Sequence, residues 1–177
     1  HNLNIPTVQV TLFINYEDES KVFQTLNILD KHRYHDDFVS LIKELMREDL
    51  FHVKNTMNNP KEIIDYLCDE LIEKGLATQS YKEDVFRREA VSATSFVNGF
   101  AVPHSIEVSA NESCISTLIL DKPVIWGGFE VKLIILLAIR ETDNHLLKIF
   151  FDWLSSIVSD SNKFTQLLEV REHQEFM

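Results

Sequence analysis

The longest apolar run of the chain, LIILLAI at residues 133–139, is the feature that most constrains the fold. It is bounded by Lys132 and Arg140 and contains no polar residue. A strand with water on one face alternates apolar and polar residues, whereas a strand covered on both faces is apolar throughout. The run is far shorter than the roughly 20 residues that cross a bilayer, so membrane insertion is not expected. The segment therefore predicts a central strand with a layer of structure on each face.

Helical patterns flank this strand in the sequence. The clearest begins with Asn59 as a predicted N-cap and Pro60 at the first helical position, and it stops at Gly75. A second long amphipathic helix is predicted over residues 144–160. Further helices are predicted at 38–47, 81–91 and 162–170, and further strands at 50–55, 99–102 and 114–120. The predicted class is α/β, a mixed β-sheet flanked by helices in a layered α/β/α arrangement.

Residues 1–37 carry a separate pattern. Apolar residues alternate along residues 5–14, which predicts a strand, and residues 15–31 have the spacing of a helix. The polar segment KHRYHDD at 31–37 follows and is predicted to be a hinge. We therefore divide the chain into a leading segment, residues 1–37, and a domain, residues 38–177.

Charge and cysteine usage exclude several functions. The net charge is -11, from 17 Lys and Arg against 28 Asp and Glu, so a nucleic-acid surface, which needs a basic patch, is not expected on this chain. Cys68 and Cys114 are far apart in apolar segments, which favours buried thiols in a reducing compartment such as the cytoplasm. His32 and His35 form an HxxH pair without further ligands at zinc spacing, so no metal site is predicted.

His104 is the first candidate functional residue. It follows Pro103 in NGFAVPHSIE, at the end of a short predicted strand. Proline fixes its own φ and restricts the preceding residue to an extended conformation, so the chain is stiff where the imidazole emerges. Active groups are common at strand ends in α/β sheets. A surface histidine is the alternative interpretation.

His145 and Arg88 are the other candidates. Asp143 or Asn144 is the predicted N-cap of the helix 144–160, which places His145 in its first turn, where anions are favoured. Arg87 and Arg88 lie late in a predicted helix, and adjacent helical residues point about 100° apart, so at most one of them faces a site. Each of these side chains could also be an ordinary surface residue.

Three segments taken in order resemble the mannitol/fructose-type enzyme IIA domain of the bacterial sugar phosphotransferase system. They are RREAVSATSFVNGFAVPH, DKPVIWGGFEVKLIILLAI and NHLLKIFFDWLSSIV, and the resemblance covers roughly residues 38–177. The lead-in TSFVNG keeps Gly99 but lacks the family's earlier glycines, and in this it is more similar to the IIA-like modules at the C-terminus of sugar-operon antiterminators and activators. Residues 5–30 resemble the closing strand and helix of the enzyme IIB-like module that precedes them in such regulators.

The resemblance implies a function for the candidate residues. His104 matches the histidine that accepts a phosphoryl group from the phosphocarrier protein HPr, and Arg88 and His145 match the supporting arginine and second histidine. Thr94 would either contact the phosphoryl group or act as a structural hydroxyl. No cofactor is expected, because phospho-HPr supplies the phosphoryl group.

Two functions stay open at this point. One is a regulatory module of a sugar-operon transcriptional regulator, whose phosphorylation changes the activity of attached domains. The other is an enzyme IIA component of sugar uptake that passes the phosphoryl group to a IIB domain.

Overall fold

The computed structural model describes residues 40–54, 57–107 and 109–176. They form a five-stranded mixed sheet with helices packed against it, which is the predicted α/β class. The strands are β1 (Met46–Lys54), β2 (Ser95–Phe96), β3 (Phe100–Ala101), β4 (Ser109–Trp126) and β5 (Phe129–Arg140). The helices are α1 (residues 40–45), α2 (Pro60–Glu73), α3 (Gln79–Val91), α4 (His145–Val158), α5 (Ser161–Leu167) and α6 (His173–Phe176), with a 3-10 turn at Glu141–Asp143. The elements predicted for residues 5–31 and the domain boundary between residues 37 and 38 lie outside the described residues and stay predictions.

The apolar run 133–139 lies in β5, at the centre of the sheet. The strand order is β1-β4-β5-β3-β2, in which β5 pairs antiparallel with β4 and parallel with β3. Ile134, Leu136 and Ala138 belong to the apolar cluster that includes buried residues of α2 and α3. The alternate residues are equally buried but lie outside that cluster: Leu133, Ile135, Leu137 and Ile139. The predicted coverage of this strand on both faces is confirmed.

Helix α2 contributes to the apolar cluster on one face of the sheet, and it begins and ends where its sequence predicts. The Asn59 side chain accepts a hydrogen bond from the Glu62 amide at 3.0 Å, and Pro60 occupies the first helical position. The helix ends before Gly75, whose φ of 72° is in the region that glycine adopts without strain. One face of the helix is buried through Ile63, Ile64, Leu67, Cys68 and Leu71. Burial of each large aliphatic side chain contributes about 1.5–3 kcal/mol.

Helices α4 and α5 supply apolar side chains to the other layer. Helix α4 buries Leu146, Phe150 and Leu154, which repeat at helical spacing. In α5, Phe164 packs edge-on against Phe100 of β3, with ring centroids 5.7 Å apart. Within the described part of the chain, no helix is long and apolar enough to cross a bilayer.

Several element boundaries differ from the predictions. Strand β4 is much longer than the predicted 114–120, because it continues through the exposed residues 121–123 with a shift of register between Ile119 and Val124. Pro123 lies in this irregular part of the strand, where a missing amide is tolerated. Strand β1 begins at Met46, inside the helix predicted for 38–47. The short elements β2 and α6 were not predicted.

A two-residue turn joins β4 to β5. Trp126 pairs with Phe129, and Gly127 and Gly128 between them have φ values of 57° and 94°, as a type I′ turn requires. The turn packs against the chain between α3 and β2: a Cβ on Gly127 would lie 2.3 Å from the Cβ of Ala93. Trp126 is buried.

Helix α6 lies against the outer strand β1. The His173 Nε2 donates a hydrogen bond to the Met46 carbonyl at 2.7 Å. The Phe176 ring packs against Phe51, with centroids 5.4 Å apart. The end of the described chain therefore covers part of this edge of the sheet.

We expect both cysteines to be unreactive in the folded protein. Cys68 and Cys114 are buried free thiols, as predicted, and burial raises the pKa of each to about 12. The thiolate is the reactive form, so at neutral pH these groups are both inaccessible and protonated. Ellman's reagent should label two thiols in denaturant and label the native protein only at the rate of unfolding. Rapid labelling of the native protein would contradict this burial.

Candidate active site

His104 lies at the edge of the sheet, just beyond β3. The Leu137 amide of β5 donates a hydrogen bond to the Pro103 carbonyl at 3.0 Å, and His104 forms a parallel bridge with Leu137. Pro103 has no amide hydrogen that would need a partner, so the chain can continue in the direction of β3 beyond Ala101, where regular strand pairing ends. The imidazole, half-buried, is thus fixed at a strand end, where the sequence predicts it.

One ring nitrogen of His104 is held by the backbone. Its Nδ1 lies 2.8 Å from the Val102 carbonyl oxygen. A carbonyl oxygen only accepts, so this contact assigns the proton of the neutral ring to Nδ1 and leaves the lone pair on Nε2.

A pocket of about 280 Å³ opens beside this ring. Its polar wall includes Arg88 of α3 and His104 itself. Its apolar wall is formed by Ile106, Leu137, Ile139 and Leu147. The pocket therefore combines a cation and an imidazole with an apolar lining.

Helix α3 supports the pocket with one of its faces. Tyr81, Asp84 and Arg88 have the spacing i, i+3 and i+7, which aligns them along the helix. The Tyr81 hydroxyl donates to the Leu137 carbonyl at 2.7 Å, and burial raises the pKa of this phenol well above its ordinary value, so it stays a donor. Asp84 is buried and accepts a hydrogen bond from the Glu107 amide at 2.8 Å. Sequence reasoning missed both Tyr81 and Asp84, although their spacing from Arg88 could have indicated them.

The two adjacent arginines diverge, as the helical geometry predicts. Arg87 is exposed and forms an ion pair with Asp84. Arg88 lines the pocket, and its Nη1 donates to the Ser92 carbonyl at 2.9 Å. Arg88 is therefore the member of the pair that faces the site.

His145 is the first residue of α4, as predicted, and its side chain is exposed. The N-cap is Asn144, but its side chain makes no capping hydrogen bond because a 3-10 turn leads directly into the helix. Asp143 instead accepts from the Ser113 hydroxyl at 2.7 Å, and this bond is the main reason that the pKa of Asp143 lies below its ordinary value. The residue that α4 contributes to the pocket wall is Leu147. A direct role of His145 stays a prediction.

Thr94 is buried and bonded to a glutamate that sequence reasoning passed over. Its hydroxyl donates to the Glu89 carboxylate at 2.7 Å, and its amide lies 3.2 Å from both carboxylate oxygens. The indole Nε1 of Trp126 donates to the same carboxylate at 2.5 Å. The signal that could have found Glu89 is its place beside Arg88 in the RREAVSAT motif.

Metal-ligating residues do not cluster in the part of the chain that the structure describes: it holds no group of three or more His, Cys, Asp and Glu that could bind an ion. His32 and His35 lie outside the described residues. The ionisable side chains that line the pocket are the His104 imidazole and the Arg88 guanidinium.

Curated proteins of known description are similar to this chain in sequence. The chain is 24% identical over 173 residues to the probable licABCH operon regulator of Bacillus subtilis (strain 168), an alignment that covers 98% of this chain and 26% of the regulator. It is 31% identical over 139 residues to the mannitol-specific phosphotransferase enzyme IIA component of Halalkalibacterium halodurans, with 75% of this chain and 92% of that protein covered. The chain spans about a quarter of the length of the first curated regulators that it matches.

Solved structures agree on the fold. The nitrogen regulatory protein IIA-Ntr from Neisseria meningitidis superposes with a TM-score of 0.68 at 21% identity, covering 76% of this chain and 95% of that one. The sequence profile described as phosphoenolpyruvate-dependent sugar phosphotransferase system, EIIA 2, matches residues 44–177. Because this profile matches most of the chain, the chain belongs to the EIIA type 2 family of the phosphoenolpyruvate-dependent sugar phosphotransferase system.

Proposed function

We propose that this domain accepts a phosphoryl group from phospho-HPr on the Nε2 atom of His104 and acts as a regulatory module of a sugar-operon transcriptional regulator. The observation that carries the proposal is the His104 ring, with Nδ1 held by the Val102 carbonyl and the ring edge at a pocket that Arg88 also lines. Membership of the EIIA type 2 family supports the same chemistry.

The proposed reaction moves one phosphoryl group between two imidazoles. The Nε2 lone pair of His104 attacks the phosphorus of the donor phosphohistidine, and the donor phosphorus–nitrogen bond breaks, leaving its electron pair on the donor ring. No proton must leave His104, because its proton stays on Nδ1 and is held by Val102. Catalysis then consists of positioning and charge stabilisation. No cofactor takes part.

Arg88 and the apolar wall have separate roles in this proposal. The guanidinium would leave Ser92 and bind two equatorial phosphoryl oxygens, for which its planar fork is suited. His145 would donate a hydrogen bond to the same group. The apolar side chains, among them Leu137 and Leu147, would keep water from the phosphorus–nitrogen bond.

The regulatory role is favoured over a transport role by the extent of the similarity. The alignment with an operon regulator covers 98% of this chain and so includes most of the leading segment, residues 1–37. The alignment with a transport component covers 75%. As a module of such a regulator, the domain would work in the cytoplasm and would itself bind no nucleic acid, in keeping with its net charge of -11. In the alternative function it would be an enzyme IIA component that passes the phosphoryl group to a IIB domain.

Phosphorylation with purified components tests this proposal. Incubation with phosphoenolpyruvate, enzyme I and HPr should add one phosphoryl group that is labile in acid and stable in base, because a phosphoramidate has that behaviour and a phosphoserine does not. The control reaction omits HPr and should give no label. Absence of label from an active HPr, or a label stable in acid, would contradict the proposal.

A further inference from the structure

A series of hydrogen bonds leads from the end of α3 to the His104 ring without passing through the pocket. It begins at Glu89, whose carboxylate accepts from the Thr94 amide and hydroxyl and from the Trp126 indole. The Thr94 carbonyl accepts from the Val102 amide at 3.0 Å. The Val102 carbonyl accepts from His104 Nδ1 at 2.8 Å.

This series holds the group that orients the imidazole. Val102 and Pro103 lie beyond the two-residue strand β3, so little regular pairing fixes the Val102 carbonyl. The hydrogen bond from the Val102 amide to the Thr94 carbonyl fixes this part of the backbone on one side. The hydrogen bond from the Leu137 amide to the Pro103 carbonyl fixes it on the other. Thr94 is buried and lies in the connection between α3 and β2. Its amide and its hydroxyl both donate hydrogen bonds to the Glu89 carboxylate. The position of the Val102 carbonyl therefore depends on Glu89.

We propose that Glu89 is a positioning residue for phosphoryl transfer: through Thr94 and Val102 it holds the proton of His104 on Nδ1 and so presents Nε2 to the donor. Glu89 does not touch the imidazole, and its carboxylate acts only through the two intervening residues, Thr94 and Val102. Because it follows Arg88 directly, the last turns of α3 supply both the cation of the pocket and the anchor of the imidazole. The part of this inference that concerns transfer rests on the proposed function, whereas the part that concerns the tautomer does not.

The ¹⁵N chemical shifts of the His104 ring, measured at a pH where the ring is neutral, test the tautomer directly. The unphosphorylated wild-type protein should show mainly the Nδ1–H form. Glu89→Ala removes the acceptor for three donors and should give a mixture of the two tautomers. Glu89→Gln keeps a carbonyl oxygen for the indole and the Thr94 amide, and its amide group can donate to the Thr94 hydroxyl, so it should restore the wild-type spectrum.

Transfer kinetics separate positioning from stability. Glu89→Ala should lower kcat for phosphoryl acceptance about ten- to a hundredfold, because the substitution displaces the nucleophile. The KM for phospho-HPr should change little, because the docking surface stays intact. Glu89→Gln should recover most of the rate. Glu83→Ala, an exposed glutamate on the same helix, is the matched control and should match wild type in rate and in ring spectrum.

Each outcome has a defined meaning. A folded Glu89→Ala variant with the wild-type tautomer and wild-type kcat would overturn the inference. If that variant does not fold, Thr94→Val takes its place, since it removes one bond of the series and should shift the tautomer in the same direction; an unchanged ring spectrum there would also overturn it. If wild type takes no phosphoryl group while Glu89→Ala still shifts the tautomer, the proposed function fails and the anchoring of His104 by Glu89 stands.

Discussion

His104→Ala should accept no phosphoryl group from phospho-HPr. The substitution removes the only nucleophile that the proposed reaction uses, so we expect complete loss of label and not a slower rate. The ring is half-buried at a strand end, and its backbone bridge to Leu137 does not need the side chain. The variant should therefore keep a cooperative unfolding transition, measured by circular dichroism, while intact mass and radiolabel from phosphoenolpyruvate both show no addition.

Two substitutions serve as comparisons for this result. His145→Ala should slow acceptance by about one to two decades, since a charge-assisted hydrogen bond contributes roughly 1.5–3 kcal/mol. Arg88→Lys should also be slower, because an ammonium cannot bridge two phosphoryl oxygens as a guanidinium does. If His104→Ala is labelled while His145→Ala is not, the two histidines have the opposite roles.

Gly127→Ala should lower the free energy of unfolding by roughly 2–4 kcal/mol. The added Cβ would lie 2.3 Å from the Cβ of Ala93 and 2.8 Å from the Ser95 hydroxyl, which itself donates a hydrogen bond to the Trp126 carbonyl beside the turn. Overpacking of this kind costs about 1–3 kcal/mol, and a positive φ in a residue with a side chain adds about 1 kcal/mol or more. Urea unfolding followed by tryptophan fluorescence measures the loss.

Gly128→Ala is the matched control for this clash. Gly128 also has a positive φ, but a Cβ there would meet nothing within 4 Å. It should show only the conformational cost of about 1–2 kcal/mol. Equal losses in the two variants would mean that the contact with Ala93 does not limit the turn.

The layered fold could be predicted because its central elements carry strong local patterns. The apolar run 133–139 has the composition of a strand covered on both faces, and Asn59, Pro60 and Gly75 mark the ends of α2. These signals depend on neighbours in the sequence. Pairing between strands depends instead on residues that are distant in the sequence. Strand β2 is two residues long and exists because it pairs with β3, and β4 continues past Pro123 because β5 lies beside it.

The candidate site could be predicted only in part for the same reason. The stiff segment around Pro103 and the helix start at His145 indicated two histidines, and the resemblance to a family indicated Arg88. The supporting contacts join residues far apart in sequence, such as Tyr81 with Leu137 and Glu89 with Trp126. Such pairs have no periodicity, so a single sequence does not reveal them.

The two outer strands of the sheet also bear on how copies of this domain behave beside one another. An exposed edge strand is a template for pairing with another chain, and natural proteins suppress it by shortening, irregularity or cover. At one edge, β2 offers only two residues. At the other, β1 has a shift of register between Met46 and Phe51, and α6 places Phe176 against it and occupies the Met46 carbonyl. Both edges therefore resist strand-to-strand association, which protects the folded domain from domain swapping and aggregation.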